Sequence, residues 1–422
     1  MNFFRANKNF SWLLLGRIIT NIGDSLYYIA ATWLVYDLGG SAFYSGLAGF
    51  LILFPKVLQF LFGPFIDRWH PKKILTCTQL LQCILLLMIP CAYFFNLLTI
   101  QFLLIIMPLI AIIEQFSYPT QNKLLPLVLK KEDLLKGNTY FSFAYQGIDL
   151  IFNAFAGILV ALIGAISLFL VDSITFATCA MIFSLLKLSH LPIDNTPVKH
   201  SYHTYIKELS EGLSLVFKAL LPLLAGAIAI NFTIGATYAL LPSFAEEKGG
   251  AHIYGYYLTS ISAGLLLGAW AVQKLGKFKV GRLTIYGYFL TTCLWVFSAL
   301  VPNTILSVLL FGLAWIPIGY LNIFFGTLNQ IIIPNELLGR VTSASYSLSA
   351  LSLPFGSLIG GFFTTAVNNE IMFMLTGAGS LIAGLIWLMN ARLRNLPEAS
   401  KINHETFPIG EYPKEIQARE TN

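Results

Sequence analysis

The sequence predicts an all-α integral membrane protein with twelve transmembrane helices, arranged as two pseudo-symmetric halves of six helices each. Three observations predict it: an apolar composition, twelve long apolar segments, and a pattern that repeats along the chain. Of the 422 residues, 56% are hydrophobic and only 11% are charged, whereas a soluble globular protein has about 25% charged residues. So much apolar surface cannot be enclosed within one water-facing shell, and membrane lipid is therefore the expected surrounding.

The apolar segments are long enough to cross a bilayer as helices, which takes about 20 residues. Numbered as segments 1 to 12, their approximate spans are 11–37, 43–66, 73–95, 98–118, 139–163, 166–188, 219–243, 253–273, 281–301, 304–328, 340–366 and 369–391. All five cysteines fall inside these segments and form no Cys-x-x-Cys pair, so neither a disulfide framework nor a zinc site is indicated. Segment 1 exceeds the length of a signal-peptide core and is expected to be retained.

Positive charge predicts that both termini are cytoplasmic. With the N-terminus inside, the cytoplasmic arm, loops, tail and adjoining helix ends hold 24 of the 26 Lys and Arg residues. Because these residues resist translocation, the opposite orientation is disfavoured. We expect a multi-pass protein of the bacterial cytoplasmic membrane. The net charge of +6 is spread over short loops, so it does not indicate nucleic-acid binding.

The longest polar interruption, 189–218, divides the chain into an N-terminal half, 1–188, and a C-terminal half, 219–391. Apolar residues at helical spacing within it predict an amphipathic linker helix at the cytoplasmic surface. The cytoplasmic tail, 392–422, is polar and contains three prolines. We expect the tail to be poorly ordered.

The two halves share a weak internal repeat. Asp133-Leu134-Leu135 aligns with Glu336-Leu337-Leu338 at an offset of 203. The same offset places Gly157 on Gly360. A second basic loop, 274–282, lies where a copy of the loop between segments 2 and 3 is expected. Two parallel halves of this kind are typical of secondary transporters.

A short charged interruption between segments 2 and 3 runs from Gly63 to Leu75. It resembles the loop signature of the major facilitator superfamily, Gly-x-Leu-Ala-Asp-Arg-x-Gly-Arg-Lys-x-x-Leu. The matching residues are Gly63, Asp67, Arg68, Lys72 and Leu75. The alternative is a basic cytoplasmic turn that any polytopic protein can have.

Three further stretches, Gly23–Leu26, Val171–Phe176 and Leu337–Val341, resemble the macrolide-efflux and enterobactin-exporter branch of that superfamily. The resemblance covers roughly residues 10–392. It implies a monomeric secondary active transporter that works by alternating access, with protons as coupling ions and an amphiphilic small molecule, drug-like or siderophore-like, as exported substrate. No cofactor is implied. The chain also lacks a phosphate-binding Gly-x-x-x-x-Gly-Lys-[Ser/Thr] motif and a catalytic cluster, so we expect no enzyme activity.

The superfamily pattern also implies conformational residues. Its Asp at the end of helix 2 contacts the start of helix 11 in the outward-open state, which makes Asp67 and Arg340 a candidate latch. The helix 5 antiporter signature, Gly-Pro-x-x-x-Gly, is reduced here to Gly157, and this departure weakens proton antiport. Small residues that permit bending are predicted in segments 5 and 11, at Gly157, Pro354, Gly356 and Gly360.

Charged residues inside the apolar segments are the main candidates for coupling. Each costs about 2.5–3.5 kcal/mol at a helix centre, so such residues tend to face the bundle interior and to mark ion or substrate pathways. The candidates are Asp24, Lys56, Glu114, Asp149, Asp172 and Arg17.

Depth predicts one pair among these charges. Segments 1 and 2 turn near residue 40, so Asp24 and Lys56 are expected at similar depth and facing each other. Two interpretations of the pair stay open. It is either a static ion pair that sets helix register or a pair that breaks on protonation or substrate binding. Glu114 is either a proton carrier or a hydrated residue near the cytoplasm. Asp172 is either a coupling residue or a structural hydrogen-bonding residue.

Aromatic and amide residues supply candidates for a substrate cavity: Tyr28, Tyr145, Asn231, Tyr238 and Asn322. Packing and interfacial aromatic belts are the alternative explanation. Two other functions stay open for this fold. One is an uncoupled facilitator or a lipid or lysolipid mover, and the other is a non-transporting membrane sensor.

Overall fold

The computed structural model describes residues 2–62, 66, 69–130, 133, 137, 140–141, 143–188, 221–332, 335–398 and 401–402. Within these residues the regular structure is helical, apart from one isolated antiparallel bridge between Lys279 and Glu398. The all-α class is therefore confirmed. The predicted linker helix in 189–218 and the loop residues Gly63, Asp67 and Arg68 lie outside the described residues.

The helices follow one another with short connections. They are α1 (Asn2–Ala6), α2 (Lys8–Gly39), α3 (Ala42–Val57), α4 (Pro71–Phe94), α5 (Ile100–Glu114), α6 (Ser117–Val128), α7 (Ile148–Ile163), α8 (Ala165–Ser184), α9 (Leu221–Lys248), α10 (Ala251–Leu275), α11 (Val280–Leu300), α12 (Thr304–Ile332), α13 (Asn335–Phe363), α14 (Asn369–Thr376), α15 (Ala378–Met389) and α16 (Ala391–Arg394).

Eight stretches of the described residues are long and apolar enough to span a bilayer. They are Pro71–Phe94, Ile100–Val128, Ala165–Ser184, Leu221–Lys248, Ala251–Val272, Val280–Leu300, Thr304–Gly326 and Asn369–Met389. The prediction of an integral membrane protein agrees with them. The remaining apolar segments coincide with α2, α3, α7 and α13.

The chain reverses direction between α2 and α3 near residue 40, as the predicted depths of Asp24 and Lys56 require. α2 ends at Gly39. The next residue, Gly40, has a left-handed φ of 63°, and its amide donates to the carbonyl of Tyr36. Glycine is common at this position because it carries no Cβ. The Ser41 side chain then accepts a hydrogen bond from the amide of Phe43 and caps the start of α3.

Segments 2 and 4 are interrupted rather than continuous, which corrects the prediction. α3 stops at Val57 and is followed by a 3₁₀ turn, Gln59–Phe62. α5 stops at Glu114, and α6 then continues to Val128 through residues that were predicted as loop. At the second break the Gln115 side chain donates to the carbonyl of Ala111 at 2.8 Å.

The chain forms two compact units. The first comprises the described parts of Met1–Val198, Tyr238–Ser262 and Ser357–Ala366. The second comprises the described parts of Lys199–Thr237, Ala263–Gly356 and Val367–Asn422. Each has its own apolar core, around Phe10 and Phe183 in the first unit and around Tyr288 and Trp387 in the second. The predicted halves, 1–188 and 219–391, stay a prediction.

The first residues of the predicted tail belong to the second unit and pack against the start of α11. The amide of Val280 donates to the carbonyl of Pro397 at 3.0 Å, and that of Gly281 donates to Leu396 at 3.3 Å. These amides belong to the first turn of α11, where the helix itself offers them no acceptor. Leu396 and Ile402 are buried in the same core. The expectation of poor order is therefore wrong for the described residues of the tail.

Close approach at Gly281 gives a stability prediction. A Cβ there would collide with the backbone carbonyl oxygens of Leu393 and Arg394. Backbone atoms cannot rotate away, so we expect Gly281→Val to destabilise the protein by about 1–3 kcal/mol. The melting temperature of the purified protein should fall. Gly276→Val is the matched control, because a Cβ there would lie an ordinary 3.6 Å from the carbonyl oxygen of Val272. Equal melting temperatures for the two variants would contradict the prediction.

Candidate functional site

Lys56 and Glu114 form an ion pair in the first unit. Nζ of Lys56 lies 3.8 Å from Oε1 of Glu114, and the side chains are 45% and 21% exposed. Each residue lies fourteen positions after the first residue of its helix, Ala42 for α3 and Ile100 for α5. That is about 21 Å along the helix axis. Glu114 falls inside the membrane-length stretch Ile100–Val128, and Lys56 lies at the end of the shorter apolar helix Ala42–Val57.

The breaks after α3 and α5 lie side by side. The ring of Phe62, from the first break, is 4.8 Å from the ring of Phe116, from the second. The ring of Trp69 stacks on the ring of Phe116, with 6.2 Å between the ring centres. Nζ of Lys123 donates to the carbonyl of Ile66 at 3.1 Å. Two interrupted helices and an ion pair thus meet at one place.

Asp172 is a fully buried acid on α8. Its Oδ1 accepts a hydrogen bond from Oγ1 of Thr175 at 3.1 Å and faces α2 at Gly23, next to Asp24. Its Oδ2 has no hydrogen-bond partner among the described residues. The described residues contain no group of three or more His, Cys, Asp or Glu positioned to hold a metal ion. Asp172 and Asp24 thus form a second group of acidic side chains in the first unit.

Arg17 is also buried, with 2% of its surface exposed. Its guanidinium carbon lies 4.6 Å from the centre of the Tyr118 ring, a cation–π contact. Asp24 lies two turns further along α2, as the sequence spacing predicts. The predicted pairing of Asp24 with Lys56 stays a prediction. The 3.8 Å ion pair joins Lys56 to Glu114.

Sequence reasoning missed a buried layer of uncharged polar side chains between α2, α4 and α6. Oγ1 of Thr20 donates to Oε1 of Gln79 at 3.3 Å. Nε2 of Gln79 donates to Ser117 at 3.1 Å and to Oε1 of Gln82 at 3.2 Å. Gln121 is fully buried, and its two amide atoms have no hydrogen-bond partner among the described residues. The available signal was a pair of glutamines three residues apart in an apolar segment.

Two predicted cavity residues meet in the first unit. The rings of Tyr28 and Tyr238 are 6.2 Å apart and nearly perpendicular. Trp33 stacks on Tyr254 at 5.3 Å, and Tyr254 is 2% exposed. Tyr254 was not predicted, because its position at the start of segment 8 is also typical of an interfacial belt.

Other predicted residues are dispersed. Asn231 on α9 and Asn322 on α12 belong to the second unit, where Asn231 is half-buried and Asn322 is exposed. Nζ of Lys72 donates to the carbonyl of Leu186 at 2.9 Å. Pro354 and Gly356 lie inside the uninterrupted helix α13. The side chains outside the described set are those of Tyr145, Asp149 and Arg340.

The last turns of α13 approach α3 closely in the first unit. Oγ of Ser357 donates to the carbonyl of Gly46 at 3.2 Å. A Cβ on Gly46 would lie 2.9 Å from Cα of Gly361 and closer still to the carbonyl oxygen of Ser357. Small residues therefore bring the two backbones together, as is common where membrane helices cross.

Comparison with known families identifies the chain. The family model described as transmembrane secretion effector matches residues 4–420. The chain belongs to this family of the major facilitator superfamily. The chain is 21% identical to the multidrug efflux pump Tap of Mycolicibacterium fortuitum, over 92% of this chain and 97% of Tap. It is 22% identical to macrolide efflux protein A of Streptococcus pyogenes, over 90% of this chain and 95% of that protein.

A solved structure shows the same fold. The bacterial homolog of the human lysosomal transporter Spinster superposes with a TM-score of 0.67 at 14% identity, over 98% of this chain and 99% of the homolog. The superfamily predicted from the 63–75 loop is thus confirmed. By its family, the chain is a multi-pass integral membrane transporter of small molecules and not an enzyme.

Proposed function

We propose that this transporter exports an amphiphilic small molecule, such as a macrolide-like or other drug-like compound, by proton-coupled alternating access. The observation that carries the proposal is the set of charged side chains inside the helices of the first unit: Arg17, Asp24, Lys56, Glu114 and Asp172. Such charges mark ion and substrate pathways because they are costly elsewhere in a membrane. The relatives named for multidrug and macrolide efflux favour export over import.

The proposed topology has twelve crossings in two halves. The eight apolar spans support it, together with the coincidence of α2, α3, α7 and α13 with the remaining predicted segments. We assign both termini to the cytoplasmic side of a bacterial cell membrane, because that orientation keeps 24 of the 26 basic residues inside. The monomer is the proposed working unit.

The proposed conformational cycle uses two sets of contacts. In the assigned orientation, the Gly46–Ser357 contact and the Trp33–Tyr254 stack lie towards the external side and close it. The cytoplasmic latch joins Asp67 to Arg340. Bending near Gly157, Pro354, Gly356 and Gly360 accompanies the exchange between states, with Gly63, Arg68 and Lys72 supporting the cytoplasmic loop.

Protons are the proposed coupling ion because three acids, Asp24, Glu114 and Asp172, lie inside helices of the first unit. Intramembrane carboxyl groups of this kind can take up and release protons and so form proton relays in transporters. Asp149 on α7 is a further candidate from the sequence.

An accumulation screen tests this function. The protein is expressed in a bacterium that lacks its own efflux pumps and is challenged with macrolides, dyes and siderophores, with and without a protonophore. We expect lowered accumulation of at least one amphiphilic compound, restored by the protonophore. Export that persists with the protonophore would contradict proton coupling and favour a facilitator. A protein well expressed in the membrane but without any effect on accumulation would contradict drug export.

A further inference from the structure

We propose that one end of the second unit binds the phosphate headgroup of an anionic phospholipid. The site, called here the basic patch, consists of the end of α10, the turn that follows it, the first residues of α11 and the short helix α16. Its exposed bases are Lys274, Lys277, Lys279, Arg282, Arg392 and Arg394. The inference does not depend on the proposed export function, because it concerns the lipid around the transporter rather than its substrate.

The basic patch is assembled from two parts of the chain that are distant in sequence. Lys279 and Glu398 form an antiparallel backbone bridge. A Cβ on Gly281 would collide with the carbonyl oxygens of Leu393 and Arg394, so α16 packs directly on the first turn of α11. The side chain of Leu393 is buried in the core of the second unit. The bases of α11 and α16 therefore lie at the same end of this unit.

The basic patch lies at the depth of lipid headgroups. Three membrane-length stretches end or begin beside it: Ala251–Val272, Val280–Leu300 and Asn369–Met389. Lys274 is two residues beyond the first stretch, and Arg392 is three residues beyond the third. Positions just outside the hydrocarbon core fall in the polar headgroup layer of a bilayer. Long basic side chains place their charged groups in this layer.

The positive charge of the basic patch is not offset by neighbouring acids. Among the described side chains at this end of the second unit, the one acid is Glu398, which pairs with Lys401 at 3.1 Å. Glu336 and Arg340, at the start of α13, are one acid and one base whose side chains lie outside the described set. The C-terminal end of α10 and the N-terminal end of α11 carry partial charges of opposite sign. The exposed side chains therefore set the sign, which favours an anion.

Exposed aromatic rings within the basic patch favour a lipid over a water-soluble anion. Trp270 has 66% of its surface exposed, and Nζ of Lys274 lies 4.8 Å from the centre of its ring. Nζ of Lys277 lies 5.8 Å from the ring of Phe278, which is also exposed, as is Tyr286 on α11. Such rings are favourable at the membrane–water interface, where acyl chains meet headgroups. Rings and ammonium groups together suit a ligand with both acyl chains and a phosphate.

Lipid titration of the purified full-length protein in detergent tests the site. Binding of dioleoyl phosphatidylglycerol and of dioleoyl phosphatidylcholine is measured by native mass spectrometry. We expect the anionic lipid to bind at least about tenfold more tightly, since each base near a membrane surface contributes roughly fivefold. The double variants K274Q/K277Q and R282Q/R392Q should each weaken binding of phosphatidylglycerol by at least about tenfold and leave that of phosphatidylcholine unchanged. An unchanged affinity for phosphatidylglycerol in both double variants would overturn the proposal.

The matched control is K8Q/K73Q, which removes two exposed bases from the first unit and changes the net charge equally. Its affinity for phosphatidylglycerol should equal that of the parent protein. An equal loss in this control would show general attraction to basic surfaces and would overturn a defined site. So would equal affinity of the parent protein for the two lipids. Melting temperatures near that of the parent confirm that each variant is folded.

A truncation tests whether the end of the chain supplies the binding instead. Residues 403–422 contain four acids and two bases and lie outside the described residues. Their deletion should preserve the preference for phosphatidylglycerol, because the basic patch ends before them. Loss of the preference on this deletion would overturn the assignment to the basic patch.

Discussion

Asp24→Asn is expected to abolish uphill export and to bring accumulation to the level of cells that lack the protein. Asparagine keeps the size and hydrogen-bonding capacity of the side chain but removes the protonatable charge. Asp24 follows Gly23, against which the buried carboxyl of Asp172 packs, so the change falls at a concentration of acids inside the membrane. The measurement is substrate accumulation at equal membrane expression, with and without a protonophore.

Asp37→Asn is the matched control for this change. Asp37 lies on the same helix but is exposed near its end, so its neutralisation should leave export unchanged. If D24N still moved substrate down a concentration gradient but not against one, the charge would act in coupling rather than in substrate passage. Unchanged uphill export by D24N would contradict a coupling role and favour a static pair that sets helix register.

Gly46→Val should lower export by at least about tenfold while the protein is still inserted. A Cβ at this position would meet the backbone of Ser357 and Gly361, which cannot rotate away. Overpacking of this kind costs about 1–3 kcal/mol, and 1.4 kcal/mol is a factor of ten in a conformational equilibrium. The state in which α3 contacts the end of α13 would lose population, and the cycle would slow. The initial export rate at equal expression is the measurement.

Gly326→Val provides the comparison for this variant. Gly326 lies on α12, and a Cβ there meets nothing within 4 Å, so export by G326V should stay near that of the parent protein. Equal export by both variants would show that the contact between α3 and α13 does not limit the cycle.

The broad class of this protein was predictable because it depends on local properties of the chain. Apolar length and charge position identify membrane segments without knowledge of their neighbours. The Gly63–Leu75 loop indicated the superfamily because its matching residues all lie within one short stretch of sequence. The turn at Gly40 was predictable for the same reason, since it joins two consecutive segments.

The partner of Lys56 shows where such reasoning stops. Depth along two adjacent segments predicts a pairing with Asp24, which stays a prediction. It gave no sign of Glu114, whose Oε1 lies 3.8 Å from the Nζ atom on a helix more than fifty residues away in sequence. That contact depends on how α3 and α5 are rotated about their axes. Segment length carries no information about rotation, and an apolar run does not reveal that its helix is interrupted.

The sequence alone therefore determined that this chain is a helical membrane transporter of the major facilitator superfamily, and it predicts which charged residues lie inside the membrane. Only the tertiary structure decided that Lys56 meets Glu114, where α3 and α5 end, and that Leu396 and Ile402 pack in the core beside α11. The physical reason is the distance in sequence between the residues that set each property. Partition into a bilayer follows from the composition of each segment, whereas ion pairs and close backbone contacts depend on the packing of segments that are distant in sequence.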